Sequence, residues 1–463
     1  MSITYNGLSG ALAAQAAINA VSQNIANSQT KGYTRQGALL QSIATDASNI
    51  SPGNGVRVGS LLRFSDSYKL QQMWRTNSEL ASRSQVQPYL TQLEKVMNNS
   101  TSSISYGFDN FFKALNAAAV DPTSTPLRQQ VITSADSLSK QINSIYELTT
   151  NQMVASQQQS ASVLPDMNQS LASIAALNKQ IIQIGANGTN TSALQDQREQ
   201  LIDTVASQVG VEVVFNPDGS ANLSLKTGQP LVSADLAATL AYETVDSKST
   251  LTLKFSNSKF NLEDSKIGGQ LGGLANFRNN TLQPLRSSIA DIARQFSEKF
   301  NEVSAAGNDT DGAAGKPLFY FSDNGPNALG TIGLLTIDPA FTTADLAFRA
   351  DGQPAGDNGN LQELIKIRNL EINVTSLGAD KVQLSDADTQ LVGKLAIDSQ
   401  QNQAQMKTAT TIRQQAEDDW KSTSGVNVDE EGINLIEFQN MFQANMKVIS
   451  VANTLFDATL QMF

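Results

Sequence analysis

Both ends of this chain are almost free of charge, yet both are patterned for helix. Residues 1–30 hold no charged side chain, and the last 26 residues hold only Lys447 and Asp457. Near the C-terminus, Leu435, Phe438, Phe442, Asn445, Ile449, Ala452, Phe456, Thr459 and Phe463 follow alternating steps of three and four, the seam of a left-handed coiled coil. Met441, Val448, Leu455 and Met462 form a second line at seven-residue spacing that widens this face. Near the N-terminus, Leu8, Ala11, Ala14, Ile18, Val21 and Ile25 keep the same rhythm with smaller residues. Two such segments at opposite ends predict that the termini meet. The entropy of ordering either helix is comparable with what its few medium-sized side chains return on burial. Both ends are therefore expected to be mobile in a monomer and to order only against partners.

Neither end reads as a targeting or spanning segment. There is no Lys or Arg before Lys31, and Ser, Asn and Gln interleave the apolar residues, unlike a cleavable signal peptide. No stretch approaches the roughly 18 uninterrupted apolar residues of a membrane helix. With 43 acidic against 32 basic residues the net charge is -11, which disfavours a nucleic-acid surface. Histidine and cysteine are both absent, which removes thiol nucleophiles, imidazole bases, Cys/His metal sites and disulfides together. No cofactor, metal or small-molecule substrate is expected, and stability must come from packing.

A length of 463 residues suggests about three domains. The predicted fold class is mainly α with an inserted small antiparallel β domain. Residues 1–35 and 425–463 form a terminal helical core in which the N- and C-terminal helices pair like a coiled coil. Residues 36–63 are a connector, since Gln29 to Gly59 is rich in Gly, Ser and Asn and reads as irregular. A bundle of long helices takes 64–209, 266–305 and 361–424, with breaks or first turns at Pro122, Pro126 and Pro165. Alternation at Val211, Val213 and Phe215, the turn Asn216-Pro217-Asp218-Gly219, and alternation again at Leu223 and Leu225 mark 210–265 as the β insertion. Residues 306–360 read as loops with one or two short strands.

Two motifs flank the terminal helices. Ser424-Gly425-Val426-Asn427-Val428-Asp429-Glu430-Glu431 opens the last helix, with Asn427 accepting from the third amide and Glu430 reaching back as a capping box. Ala26-Asn27-Ser28-Gln29-Thr30-Lys31-Gly32-Tyr33-Thr34-Arg35 stops the first helix. Asn27 and Gly32 tolerate positive φ, and Tyr33 with Arg35 offers an aromatic and a cation. The segment is either an anchor for the turn or a simple helix stop with an exposed tail. Asp309-Thr310-Asp311-Gly312 lacks the later ligands of a calcium loop and reads as a turn. Gly268-Gly269-Gln270-Leu271-Gly272-Gly273 lacks a Walker lysine and reads as a tight domain junction. Asp418 and Asp419 beside Trp420 read as a solvated helix face rather than paired catalytic carboxylates. No enzyme is indicated.

Leu8-Ser9-Gly10 with the Ala26 to Gln36 segment resembles the N-terminal signature of the flagellar axial proteins that build rod, hook and junction. Ser424 to Glu431 with Phe438-Gln439 and Gln443-Ala444-Asn445 resembles its C-terminal counterpart. In the middle, Leu194-Gln195-Asp196-Gln197-Arg198-Glu199-Gln200-Leu201-Ile202 leading into Val209-Gly210-Val211-Glu212-Val213, then Gly269 to Leu274 with Phe277-Arg278 and Phe300-Asn301, resembles the junction branch rather than the hook or rod branch. After Gly315-Lys316-Pro317-Leu318-Phe319 the chain has only about forty residues before helix resumes, where longer members of that branch carry a further outer domain. A slimmer outer surface is expected.

The resemblance implies a structural adaptor at the hook–filament junction, outside the cell, exported by the flagellar type III apparatus without a cleavable signal. It implies self-association into a helical ring, contacts with hook protein and with the second junction protein, and an export chaperone on the C-terminal helix. The N-terminal assembly residues would be Leu8, Ala11, Ala14, Ile18, Val21, Ile25, Asn27, Thr30, Gly32, Tyr33 and Arg35. The C-terminal assembly and chaperone residues would be Asn427, Glu430, Leu435, Phe438, Phe442, Asn445, Ile449, Ala452, Phe456 and Phe463. The alternatives are another axial subunit, of hook or distal rod, or a secreted helical effector or adhesin.

Overall fold

A computed structural model describes residues 2–43, 54–245, 248–323, 325–374 and 379–461. Helix α1 (Ser2–Ala26) leads into strands β1 (Gln36–Ser42) and β2 (Val56–Arg63), which pair antiparallel with Gln36 opposite Arg63 and a bulge after Leu39. Where an irregular connector was expected, 36–63 therefore carries a β hairpin. Its strands combine Leu and Val with Gly, Ser and Gln, so no clean alternation announces them. Helix α2 (Ser67–Met97) begins at Asp66, whose carboxylate accepts from the amides of Tyr68 and Lys69. Helix α3 (Ile104–Ala118) and the 61-residue helix α4 (Thr125–Gly185) follow. Pro126 occupies the first turn of α4, whereas Pro165 lies inside it without ending it. The flanking Val163, Leu164 and Met167 are buried, and that packing outweighs one missing backbone bond.

Helix α5 (Ser192–Gln208) feeds a β insertion. Strands β3 (Val211–Phe215), β4 (Ala221–Leu225), β5 (Pro230–Ser233) and β6 (Leu236–Ala237) form one antiparallel sheet. Strands β7 (Thr239–Val245), β8 (Lys248–Phe255) and β9 (Ser258–Leu262) form a second. The chain leaves the insertion at Gly268-Gly269. Gly269 has φ +61° and sits so close to the preceding strand entry that a Cβ would lie 2.5 Å from Val209 N. Only glycine fits there. Helix α6 (Gly269–Phe277) then passes through a π turn at Arg278–Leu282 into α7 (Gln283–Ala305).

The 306–360 segment holds β10 (Gly307–Asn308), β11 (Phe319–Phe321), β12 (Leu335–Ile337) and β13 (Arg349–Ala350), more strand than its composition suggested. Arg128 fastens this segment to α4, donating to the carbonyls of Thr343 (2.6 Å) and Leu346 and to that of Pro122 (2.8 Å). After α8 (Gly359–Lys366), the expected helix is interrupted by a hairpin of β14 (Glu371–Val374) and β15 (Ala379–Gln383), where Ile372 and Val374 alternate inward. Helix α9 (Leu384–Ser424) runs back along α2, and α10 (Val428–Leu460) ends the described chain.

Helix-borne amides pin the strands. Asn143 donates to the Leu335 carbonyl (2.8 Å) and accepts from the Leu335 amide (2.9 Å). Asn168 makes the same pair of bonds with Leu240, and Asn178 bonds both the amide and the carbonyl of Ala221. Each carboxamide supplies one donor and one acceptor, as a neighbouring strand would.

The larger apolar core joins α2, α3, α4, α7 and the start of α9. At its centre Phe108, Phe111, Phe296, Phe300 and Phe319 meet largely edge to face, with Phe111 and Phe296 centroids 5.9 Å apart at 89°. Phe111 is completely buried. Replacing it (Phe111→Ala) is expected to cost about 3–5 kcal/mol in urea unfolding, whereas Val120→Ala at an 87 % exposed position should stay within about 0.5 kcal/mol.

Candidate functional site

Helices α1 and α10 pack antiparallel. A Cβ on Gly7 would lie 2.9 Å from Ile449 Cγ1, and one on Gly10 would lie 2.3 Å from Asn445 Oδ1. At the other end of the pair, Asn24 Nδ2 donates to Glu431 Oε2 at 3.0 Å. The buried line of α1 is Gly7, Gly10, Ala11, Ala14, Ala17, Val21 and Asn24. It is rotated from the expected seam: Ala11, Ala14 and Val21 are buried, Ile18 and Ile25 are half-buried, and Leu8 is 49 % exposed. The smallest residues take the contact because they allow the backbones to approach, and this turns Leu8 and Leu12 outward. On α10, Leu435, Phe438, Phe442, Asn445, Ile449 and Ala452 are half-buried, while Phe456 is 64 % exposed. Phe463 lies outside the described residues.

The segment after α1 is an anchor rather than a loose tail. Thr30 closes onto Asn27 through backbone and side chain, and Gly32 turns at φ +75° against Gln200. Tyr33 Oη donates to Asn24 Oδ1 (2.9 Å); Asn24 also accepts from the Gln36 amide (3.0 Å) and donates to the Gln36 carbonyl (2.8 Å). One side chain thus ties α1, β1 and α10 together. Burial, then the neighbouring carboxylates of Asp196 and Glu431, push the Tyr33 phenol up to about 12. Arg35 pairs with Glu430 (3.1 Å), lies 4.6 Å from the Phe64 ring centroid, and donates its amide to the Ser424 carbonyl (2.8 Å).

The expected capping box is modified. Asn427 Oδ1 accepts from the second helical amide, that of Asp429 (3.1 Å), not the third. The Glu430 carboxylate is drawn to Arg35 and to Asn427 Nδ2, and so does not reach back to the cap amide.

Beneath this turn lies a buried ion cluster that motif reading did not connect. Arg63, at the end of β2, donates to Asp196 Oδ1 (2.6 Å), to Glu199 Oε2 (2.7 Å) and to Thr34 Oγ1 (2.9 Å), while the Thr34 amide donates to Asp196 Oδ2 (3.2 Å). Burial alone would lower the Arg63 pKa; Glu199 and Asp196 reverse that and raise it. The neighbouring Arg198 is lowered to about 10 by burial and carries the link onward, donating to Asn178 Oδ1 and to the Gly219 carbonyl of the β insertion. Asp196, Arg198 and Glu199 all stood inside a segment quoted only for its resemblance. Charged residues on an otherwise polar helix were the one available signal.

The 27–35 turn, α5 and the α9–α10 corner enclose a cleft of about 760 Å³. Its acids and bases are largely engaged with one another, as with Arg413 and Asp203 at 3.3 Å. Among the described residues no cluster of three acids, histidines or cysteines is placed to hold a metal, and no helix is long and apolar enough to cross a membrane. The arrangement transmits position: it fixes the direction in which the helix pair leaves the body.

Removing the buried cation (Arg63→Ala) leaves two desolvated carboxylates and is expected to cost about 3–5 kcal/mol in urea unfolding. Tyr33 gives a pH test. Its folded pKa is raised, so its contribution is intact below the ordinary value of 10.0 and is lost as pH rises from 10 towards 12. The stability advantage of the native chain over Tyr33→Phe should be about 1 kcal/mol at pH 7 and should shrink over that alkaline range. A constant difference in urea midpoint would break the assignment.

Comparison with known proteins agrees with this geometry. A family model described as Flagellar hook-associated protein FlgK helical domain matches residues 90–319, and one described as Flagellar basal body rod FlgEFG protein C-terminal matches residues 422–462. The chain is 26% identical to flagellar hook-associated protein 1 of Escherichia coli (strain K12) over 551 aligned positions, covering 99% of each. It is 24% identical to the protein of that name from Bacillus subtilis (strain 168), covering 99% of this chain and 98% of the other. In fold it is similar to the flagellar hook junction protein FlgK from Burkholderia pseudomallei, with a TM-score of 0.64 and 16% identity over 76% of this chain and 100% of that one. Relatives matched from end to end and models matched in the middle and at the C-terminus agree, and the chain belongs to the flagellar hook-associated protein 1 family.

Proposed function

We propose that this chain is a structural adaptor of the bacterial flagellum that assembles on the tip of the hook and allows the filament to be built beyond it. The observation that carries the reading is the uncovered outer face of the helix pair. Ile3, Tyr5, Leu8 and Leu12 on α1, with Ile433, Ile436, Val451, Leu455, Phe456 and Leu460 on α10, are all about half or more exposed. Apolar surface this extended, on an α1 without charge and an α10 that holds only Lys447 and Asp457 after Glu437, marks a surface made to be covered. In the assembly, copies of the same chain would cover it, stacked head to tail around the axis.

On this reading the helix pair is the inner shell, the long-helix body the next, and the β insertion faces outward. One end of the ring meets hook protein and the other the second junction protein. Before assembly, an export chaperone shields α10, and the chain leaves through the flagellar type III apparatus without a cleavable signal. Asn27, Thr30, Gly32, Tyr33, Arg35, Asn427 and Glu430 set the angle of the pair, and the α10 seam from Leu435 to Phe463 serves both partners in turn. The chain does no chemistry.

The test is electron microscopy and motility of cells lacking the protein, complemented with the full chain or with a chain ending at Glu437. The expected result is hooks without filaments, flagellin shed into the medium, and rescue only by the full chain. Normal filaments in the absence of the protein would overturn the reading, and location along the whole hook would reassign it to a hook subunit.

A further inference from the structure

Apolar contacts divide the buried interior into two separate cores rather than one. The three long helices run through both. Helix α2 gives Leu70 and Trp74 to one core and Val86 to Met97 to the other; α4 gives Val163 to Ala175 and Val131 to Ile145; α9 gives Trp420 and Leu384 to Leu395. Between these stretches the buried residues of α2 and α4 are polar, Ser78 on α2 and Thr149, Gln152, Ser156 and Ser160 on α4, while α9 continues with Ser399 and Asn402 and then with the small Ala409 and Ala416, each less than a tenth exposed.

The bonds in this waist are of two kinds. Thr149, Ser156 and Ser160 return their hydroxyls to carbonyls three or four residues back in their own helix. Hydroxyls bonded in this way weaken the local ladder and favour bending. The bonds that do cross are carboxamide bonds: Asn402 Nδ2 to the Arg83 carbonyl (3.1 Å) and Gln87 Oε1 (2.8 Å), and Gln152 Nε2 to the Tyr89 carbonyl (3.4 Å). Gln152 Oε1 is buried with no partner among the described residues. The π turn at Arg278–Leu282 lies beside the waist, and a cleft of about 390 Å³ lined by Arg83, Asn276, Asn280 and Asn402 opens onto it.

We propose that this polar waist is a bending joint, at which the two halves of the helical body tilt relative to one another. Sliding two interdigitated apolar surfaces forfeits contacts that nothing replaces. Carboxamide bonds next to an open polar cleft are different, because water can take over either partner at little loss. The π turn supplies a place where the continuous α6–α7 rod already departs from the regular ladder and can absorb curvature.

The absence of native cysteine makes the test direct. Val120, beyond α3 on one half, and Val214, in β3 on the other, are 87 % and 63 % exposed. Spin labels on a Val120→Cys/Val214→Cys chain are expected to give a pulsed electron paramagnetic resonance distance distribution at least twice as broad as in the same pair carrying Gln152→Leu, Ser156→Ala and Asn402→Leu. Equal widths would overturn the joint. Should the filled variant not fold, amide exchange of the native chain decides: residues 149–160 are expected to exchange at least tenfold faster than 131–145 and 163–175 of the same helix. Equal protection along α4 would overturn it as well.

Discussion

Two carboxylates and one guanidinium hold the molecule's two parts in relation. Arg63 arrives on the end of a hairpin, Asp196 and Glu199 arrive on a body helix one turn apart, and Thr34 arrives from the segment that follows α1. Desolvating three charges is expensive, and such a cluster adds little net stability compared with apolar residues of the same volume. What it adds is definition, since a bidentate guanidinium accepts its carboxylates in few geometries. The direction of the helix pair, the seating of the 27–35 turn and the link through Arg198 into the β insertion all follow from that choice.

The same logic separates what the sequence made legible from what it did not. The α1 and α10 helices, the β insertion and the glycine junction at Gly268-Gly269 were readable because each rests on a local pattern: period, turn chemistry, or backbone freedom. The hairpins at 36–63 and 371–383 were not. The strands of the second are short, those of the first mix Leu and Val with Gly, Ser and Gln, and the stability of both comes from what they lie against. Much of that support is carboxamide: Asn24 brackets Gln36, and Gln295 brackets Asn373 with one bond in each direction. Asparagine and glutamine on a helix look like surface, and nothing in the local sequence says that a strand will come to them.

The site shows the limit more sharply. Tyr33, Arg35, Asn427 and Glu430 stand out in their own motifs, but Asn24, Arg63, Asp196 and Glu199 acquire meaning only when chain separated by 133 to 407 residues is brought together. The seam of α1 shifted for a related reason. A three/four rhythm fixes which residues share a face, whereas the choice between neighbouring faces depends on the partner. Here the partner favours closest approach, so glycine and alanine face inward and leucine outward.

The register of the helix pair also has a temporal side. Gly7 meets Ile449 and Gly10 meets Asn445, so nearly the whole length of the chain separates the two surfaces. Closing so long a loop is the slowest kind of contact to form, and no local structure can anticipate it. During synthesis, α1 waits with its small-residue groove empty, because the nearest residue that reaches it across the pair, Glu431 on Asn24, follows 407 residues later. The pair therefore closes after the body: a chain interrupted between Ser424 and Asn445 holds every element of the body, but it cannot close its ends over Gly7 and Gly10.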